Sequence, residues 1–237
     1  MTNLLTSLEN DGFAMLPGIF STGEMQTLGT RLIGELEAHS GPTVLKSRGR
    51  IYGSRNLLAA APWLVDWAHR PPLAELMRQT LGEKAGLVRG LFFDKPPDRS
   101  WSLPWHRDRT IAVKDNTLKS EHFHNPTRKA GIAHYEASET LLANMLTLRI
   151  HLDAMTSENG PLSVIPGSHR MDAGQESSPI ILSAAAGNVL AMRPLLSHAS
   201  SMSQEGTTAH RRIVHLEFAA SPVLPDGVRW NDFIGLA

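Results

Sequence analysis

The sequence predicts a mainly β domain, a jelly-roll with flanking α-helices, and two observations carry that prediction. Beyond Gly86, seven runs of strand length concentrate apolar and β-branched residues: Leu87–Phe93, Thr110–Lys114, Met145–Asp153, Leu162–Ile165, Pro179–Leu182, Asn188–Met192 and Arg211–Ala219. Glycine and proline turns divide them. Ahead of Gly86 the apolar spacing is that of helices. At 237 residues the chain suits a single domain spanning 1–237, with a helical part over about 1–85 and a jelly-roll core over about 86–220.

The elements follow in order. Ser21-Thr22-Gly23-Glu24 reads as a capping box, and Met25, Leu28, Leu32 and Leu36 continue it at helical spacing. A second helical region runs from about Pro62 to Leu81, broken at Pro71-Pro72 and stopped at Gly82, with Trp63 and Trp67 directed to the core. Between the second and third strands lies a segment of unusual length, Asp115–Asn144, carrying His122, His124, Lys129, His134 and Tyr135. Such a connection is either a functional lid or partly helical, and it is the natural seat of substrate specificity.

Composition narrows the function. Lysine plus arginine equals aspartate plus glutamate at 23 each, so no net field recruits nucleic acid or an anionic membrane, and a small-molecule substrate fits better. The absence of cysteine removes disulfides, thiolate metal sites and thiol nucleophiles, leaving imidazole and oxygen as ligands. Met1-Thr2-Asn3-Leu4-Leu5 lacks a basic leader region and no apolar run reaches membrane-spanning length, which predicts a soluble, cytoplasmic protein.

The most informative residues are His106 and Asp108 in Leu103-Pro104-Trp105-His106-Arg107-Asp108. Two residues apart on an extended strand, they point to one face. A further histidine would complete two imidazoles and a carboxylate on one side of a cation, the set that leaves positions on Fe(II) open to oxygen and an organic co-substrate. Among the later histidines, His169 follows turn residues and His210 abuts the arginine pair, whereas His198 closes a short apolar run. His198 is therefore the candidate third ligand, and His106, Asp108 and His198 are the candidate catalytic metal site.

Thirteen residues on, Arg211 and Arg212 head a strand and alternate faces. Either could pair with the distal carboxylate of 2-oxoglutarate. Arg212 shares its face with Val214, Leu216 and Phe218, a packing row, while Arg211 shares its own with Ile213, His215 and Glu217, a mixed row suited to a wet cavity. That contrast favours Arg211. On Met145–Asp153 the apolar face is Leu146, Leu148, Ile150 and Leu152, so Thr147, Arg149, His151 and Asp153 share the other, making Arg149 and His151 candidate substrate contacts. His134 in the long segment and Lys95, placed to draw an anion to the cavity mouth, complete the candidate substrate residues. Glu121, His122 and His124 read as a solvated cluster.

The ordered series Asn10-Asp11-Gly12-Phe13, Leu16-Pro17-Gly18-Ile19-Phe20, Asp94-Lys95-Pro96-Pro97-Asp98, Trp105-His106-Arg107-Asp108, Glu158-Asn159-Gly160-Pro161-Leu162, Ile165-Pro166-Gly167-Ser168-His169-Arg170, His198 and Arg211 resembles the phytanoyl-CoA dioxygenase family over nearly the whole chain. The resemblance implies a double-stranded β-helix of cupin-like type. It implies Fe(II), 2-oxoglutarate and O2, with hydroxylation of a small metabolite coupled to decarboxylation of 2-oxoglutarate to succinate. It assigns the metal to His106, Asp108 and His198, the co-substrate to Arg211, and a hydroxyl on the same carboxylate to Ser200. The loop from His198 to Arg211 is a couple of residues longer than the family's usual one. Asp108 disfavours halogenation, since related halogenases give up that carboxylate. The alternative is a non-oxidative cupin-like metal or small-ligand binding protein, which has no reason to keep Arg211 and Ser200.

Overall fold

Fifteen strands and six α-helices make up the described residues, 2–170 and 178–236, of the computed structural model. The helices come first: α1 (Thr2–Asn10), then α2 (Thr22–Ala38), whose capping box is formed, with the Glu24 N–H donating to Ser21 Oγ at 3.2 Å and the Ser21 N–H to Glu24 Oε2 at 2.7 Å. Short α3 (Leu57–Ala60) and α4 (Val65–Ala68) lead to α5 (Pro71–Leu81), which starts on its prolines and ends at Gly82 with φ 88°. That backbone region is open to glycine and strained for a side chain.

The helical part also supplies strands, which its local sequence does not announce. β1 (Phe13–Leu16), β2 (Val44–Ser47) and β3 (Arg50–Ser54) are four or five residues long, too short to show a period; β1 and β3 pair with the distant strands β12 and β4, and β2 is the hairpin partner of β3. Next come β4 (Gly86–Lys95), β5 (Leu103–His106), β6 (Thr110–Val113), β7 (Phe123–Lys129), β8 (Ile132–Ala137), α6 (Glu139–Ala143) and β9 (Met145–His151). The chain closes with β10 (Leu162–Val164), β11 (Ile180–Ile181), β12 (Val189–Met192), β13 (His198–Ser200), β14 (Arg211–Ala219) and β15 (Ile234–Gly235).

The large sheet runs β1-β12-β9-β14-β4-β3-β2 with β15 on β4, and the second runs β11-β10-β13-β5. Helices cover the outer face of the large sheet: Leu32, Leu36, Leu73 and Leu76 pack in one core with Leu146, Leu148, Ile150, Val214, Leu216 and Phe218. By strand alternation the opposite row of each strand faces the second sheet, and a cavity of about 350 Å³ lies between them. That size is at the low end of small-molecule sites, which range over about 300–1,000 Å³.

The long segment Asp115–Asn144 is neither a plain connection nor chiefly helical. It forms β7, β8 and the single turn-and-a-half of α6, with β6-β8-β7 making a third sheet. Phe123 and Tyr135 bury their rings there with Ile111 and Val113, while Lys129 and Leu142 reach the cavity wall. Strand β9 ends at His151, two residues short of the predicted limit, so Asp153 leaves the inward row and turns to Arg212. Among the described residues no helix is long and apolar enough to cross a membrane.

Candidate active site

Strands β5 and β13 pair antiparallel with His106 directly opposite His198. The two rings lie 4.2 Å apart between centroids. His106 Nδ1 is 2.7 Å from the Pro104 carbonyl and His198 Nδ1 is 2.9 Å from the Leu196 carbonyl. A carbonyl oxygen only accepts, so each Nδ1 carries the proton and each Nε2 keeps its lone pair. Asp108 lies just past the end of β5, where its N–H donates to the Pro194 carbonyl at 2.9 Å. Its carboxylate sits 3.9 Å from His106 Nε2 and 3.8 Å from His198 Nε2.

One ligand atom from each of the three residues lies within 4.8 Å of the others, a group that can hold a metal ion. Burial lowers the pKa of His198, which favours the neutral, ligating form. Burial acts to raise Asp108, but His198, His215, His106 and Arg89 outweigh it and keep the carboxylate ionised. Two imidazoles presenting Nε2 and one carboxylate, with His106 and Asp108 partly open to the cavity, suit a first-row divalent cation that retains free positions.

A second group of polar residues lines the same cavity. Arg211 on β14 and Arg149 on β9 are buried, and the Nε and Nη1 of Arg211 and the Nε of Arg149 have no hydrogen-bond partner. Orphaned buried guanidinium donors are costly unless an acceptor arrives. Burial pushes Arg211 down to about 10, and burial together with Arg211 pushes Arg149 well below its ordinary value. Ser200 lines the cavity beside them and accepts from Lys95 Nζ at 3.0 Å. This donor set fits a carboxylate with its hydrogen-bonding capacity free. Arg212 is spent elsewhere: its Nε and Nη2 donate to the Asp153 carboxylate at 2.8 and 2.7 Å.

Three expected contacts are placed differently. Lys95 is fully buried, not at the cavity mouth; it sits behind Ser200 and also donates to the Ser201 carbonyl at 2.7 Å. His151 is fully buried and does not line the cavity, with both ring nitrogens unpartnered. His134 is buried on β8 with Nδ1 3.0 Å from the Ile132 carbonyl, facing a small separate cavity beside Arg89. Neither histidine lines the main cavity. His169 lies away from the site, its Nε2 3.1 Å from the Glu9 carbonyl, and His210 Nδ1 meets Asp94 Oδ1 at 3.0 Å. Arg89, absent from the sequence candidates, does line the cavity. Its signal is a single charge inside the otherwise uncharged run Leu87–Phe93.

The sequence from residue 8 to residue 213 matches the profile of the phytanoyl-CoA dioxygenase (PhyH) family. The chain belongs to this family. As a family member it is an iron- and 2-oxoglutarate-dependent oxygenase, and the His106, Asp108, His198 group is one that can hold a metal ion. No curated protein matches the sequence significantly. In fold the chain is similar to AviO1 from Streptomyces viridochromogenes, at 22% identity and a TM-score of 0.65, covering 94% of this chain and 97% of that one. It is similar to iron-bound EctD from S. alaskensis, at 20% identity and a TM-score of 0.70 over 92% of this chain and 76% of that one. A third likeness is to SnoK, a non-heme alpha ketoglutarate dependent carbocyclase from nogalamycin biosynthesis, at 15% identity and a TM-score of 0.66 over 96% and 88%. At these identities the likeness is one of fold.

Proposed function

We propose that this phytanoyl-CoA dioxygenase family member hydroxylates an aliphatic carbon of a small organic metabolite, with decarboxylation of 2-oxoglutarate to succinate. One observation carries the reading: a two-histidine, one-carboxylate group opens onto a cavity whose opposite wall presents an unpartnered, buried arginine. The residues that would hold the iron are His106, Asp108 and His198, and those that would hold the co-substrate are Arg211 and Ser200. When bound, iron and 2-oxoglutarate together supply the oxidising power for an unactivated C–H bond.

The chain's own work is positioning and exclusion. The carbonyls of Pro104 and Leu196 fix the tautomer and ring orientation of His106 and His198, so both Nε2 atoms converge before a cation arrives. Arg211 gives two N–H groups to one carboxylate in a fixed plane, and Ser200 adds a hydroxyl whose own direction Lys95 sets. The Lys95 ammonium, held in place by Ser200 and Ser201, keeps the far end of the site cationic. Leu91, Phe93, Leu162 and Ile213 supply apolar wall that keeps water from the reacting carbon.

The test is a screen of candidate metabolites for succinate formation, followed by mass spectrometry of the substrate. Stoichiometric succinate with one added oxygen per turnover is expected. A metal-bound protein that forms no succinate with any candidate, yet binds one of them, supports the non-oxidative binding alternative instead.

A further inference from the structure

The cavity has a second cationic end that the co-substrate site does not use. Along β4, Arg89 and Lys95 lie six residues apart on the inward row, ~20 Å at ~3.3 Å per residue. On the paired strand β14, Glu217 opposes Arg89 and Arg211 opposes Lys95. The co-substrate residues Arg211, Ser200 and Lys95 therefore occupy one end, and Arg89 marks the other. Arg89 Nη1 reaches the carbonyl of Thr110, two residues past Asp108, which sets the metal group close to that second end.

Three cations converge there from three separate elements. Arg89 comes from β4, Lys129 from the end of β7, and Arg55 from the residue just past β3; all line the cavity. Their existing partners are weak. Arg89 Nη1 reaches the Thr110 carbonyl at 3.3 Å and Glu217 Oε1 at 3.5 Å, both long. Lys129 Nζ has only Thr110 Oγ1 at 3.3 Å, and the Arg55 guanidinium has no hydrogen-bond partner among the described residues. Of the two carboxylates near Lys129, Glu136 already accepts from Asn125 at 2.9 Å and Asp108 is turned to His106 and His198. Like charges gathered at a half-buried wall repel one another; Glu217 meets Arg89 only at 3.5 Å, and no carboxylate acts on Arg55 among the described residues. A site of this kind is completed by an anion on its ligand.

We propose that the prime substrate carries an anionic group, a carboxylate or a phosphate ester, which Arg55, Arg89 and Lys129 bind at the end of the cavity opposite the co-substrate's distal carboxylate. The inference deepens the oxygenase reading and rests on it. Substrate and co-substrate thus enter with their charged ends apart and their reacting ends meeting at the metal group. Electrostatic repulsion between two anions at one pole is avoided, and a neutral analogue of the substrate leaves three cations unmatched.

The test uses the anaerobic Fe(II)·2-oxoglutarate protein titrated with inorganic phosphate, with acetate and with neutral glycerol, followed by calorimetry and by perturbation of the weak visible charge-transfer band expected of a keto acid chelated to Fe(II). Saturable binding of at least one anion, and none of glycerol, is expected. Phosphate the tighter points to phosphate esters, acetate the tighter to carboxylates. Arg55→Gln and Lys129→Gln should each weaken anion binding at least about tenfold, with the visible band still formed. Arg128→Gln, which removes the same charge from an exposed site, should not weaken it. Failure of both anions to bind, or equal weakening by Arg128→Gln, overturns the proposal. Absence of the visible band before any anion is added instead overturns the oxygenase reading beneath it.

Discussion

His106 and His198 are mirror partners across one antiparallel pairing: each sits opposite the other, and each turns Nδ1 to the carbonyl two residues before it. The arrangement leaves both Nε2 lone pairs directed to a common point shared with Asp108. Removing any one of the three should lower Fe(II) affinity by more than the about 10–100-fold typical of losing an outer-shell partner. Anaerobic calorimetry of His106→Ala, Asp108→Ala and His198→Ala measures this, with circular dichroism to show that each variant stays folded. His169→Ala should bind iron normally.

Arg211 and Arg212 are adjacent in sequence and opposite in employment. Arg211→Ala should weaken 2-oxoglutarate binding by about 2–5 kcal/mol, since a buried charge loses its partner, or about 30-fold to more than 1,000-fold. Iron binding should survive. Arg212→Ala should instead cost about 1.5–3 kcal/mol of folding stability through the lost Asp153 pair and leave the co-substrate constant nearly unchanged. Chemical denaturation alongside 2-oxoglutarate titration separates the two.

Burial, then Arg211 and Arg149, push Lys95 down to about 7. A carboxylate bound beside Ser200 favours the charged ammonium, so binding draws a proton onto Lys95 wherever the free protein has lost it. The sign follows: 2-oxoglutarate affinity is full below pH 7 and declines as pH rises above 7. Calorimetry in two buffers of different ionisation enthalpy should show proton uptake at pH 8, and Lys95→Met should abolish both the uptake and that slope.

The sheet formed by β6, β8 and β7 is part of the folded body. Tyr135 is buried against Phe123, their ring centroids 5.4 Å apart, and donates its hydroxyl to the Leu118 carbonyl at 2.6 Å. Tyr135→Ala should lower stability by about 3–5 kcal/mol, as deletion of a large buried aromatic does. Excision of residues 115–144 should therefore unfold the neighbouring core instead of sparing the iron and co-substrate site. Thermal melts of both variants decide this.

How much the sequence discloses depends on the range of the interaction. The metal group is readable because His106 and Asp108 are two residues apart, and the row Arg211, Ile213, His215, Glu217 is readable because strand alternation is local. β1 and β3 are not, since β12 and β4, with which they pair, lie far along the chain, and β2 is held only through its hairpin with β3. Lys95 and His151 are misplaced for a related reason. Alternation says which side of a sheet a residue faces, but not whether a second layer closes over it, and Ser200 covers Lys95 from another strand. Asp153 differs because β9 stops at His151, freeing the carboxylate to meet Arg212. Arg55, Arg89 and Lys129 come together only when three separate elements assemble, so no window of sequence contains the site.

Anaerobic addition of Fe(II) and then 2-oxoglutarate to the purified protein tests the central claim most directly. The wild-type protein should develop the weak visible charge-transfer band of a keto acid chelated to Fe(II), saturating at one equivalent of each. His198→Ala should lose it, and Arg211→Ala should need far more 2-oxoglutarate to reach it. A wild-type protein that binds Fe(II) yet shows no band at saturating 2-oxoglutarate contradicts the account.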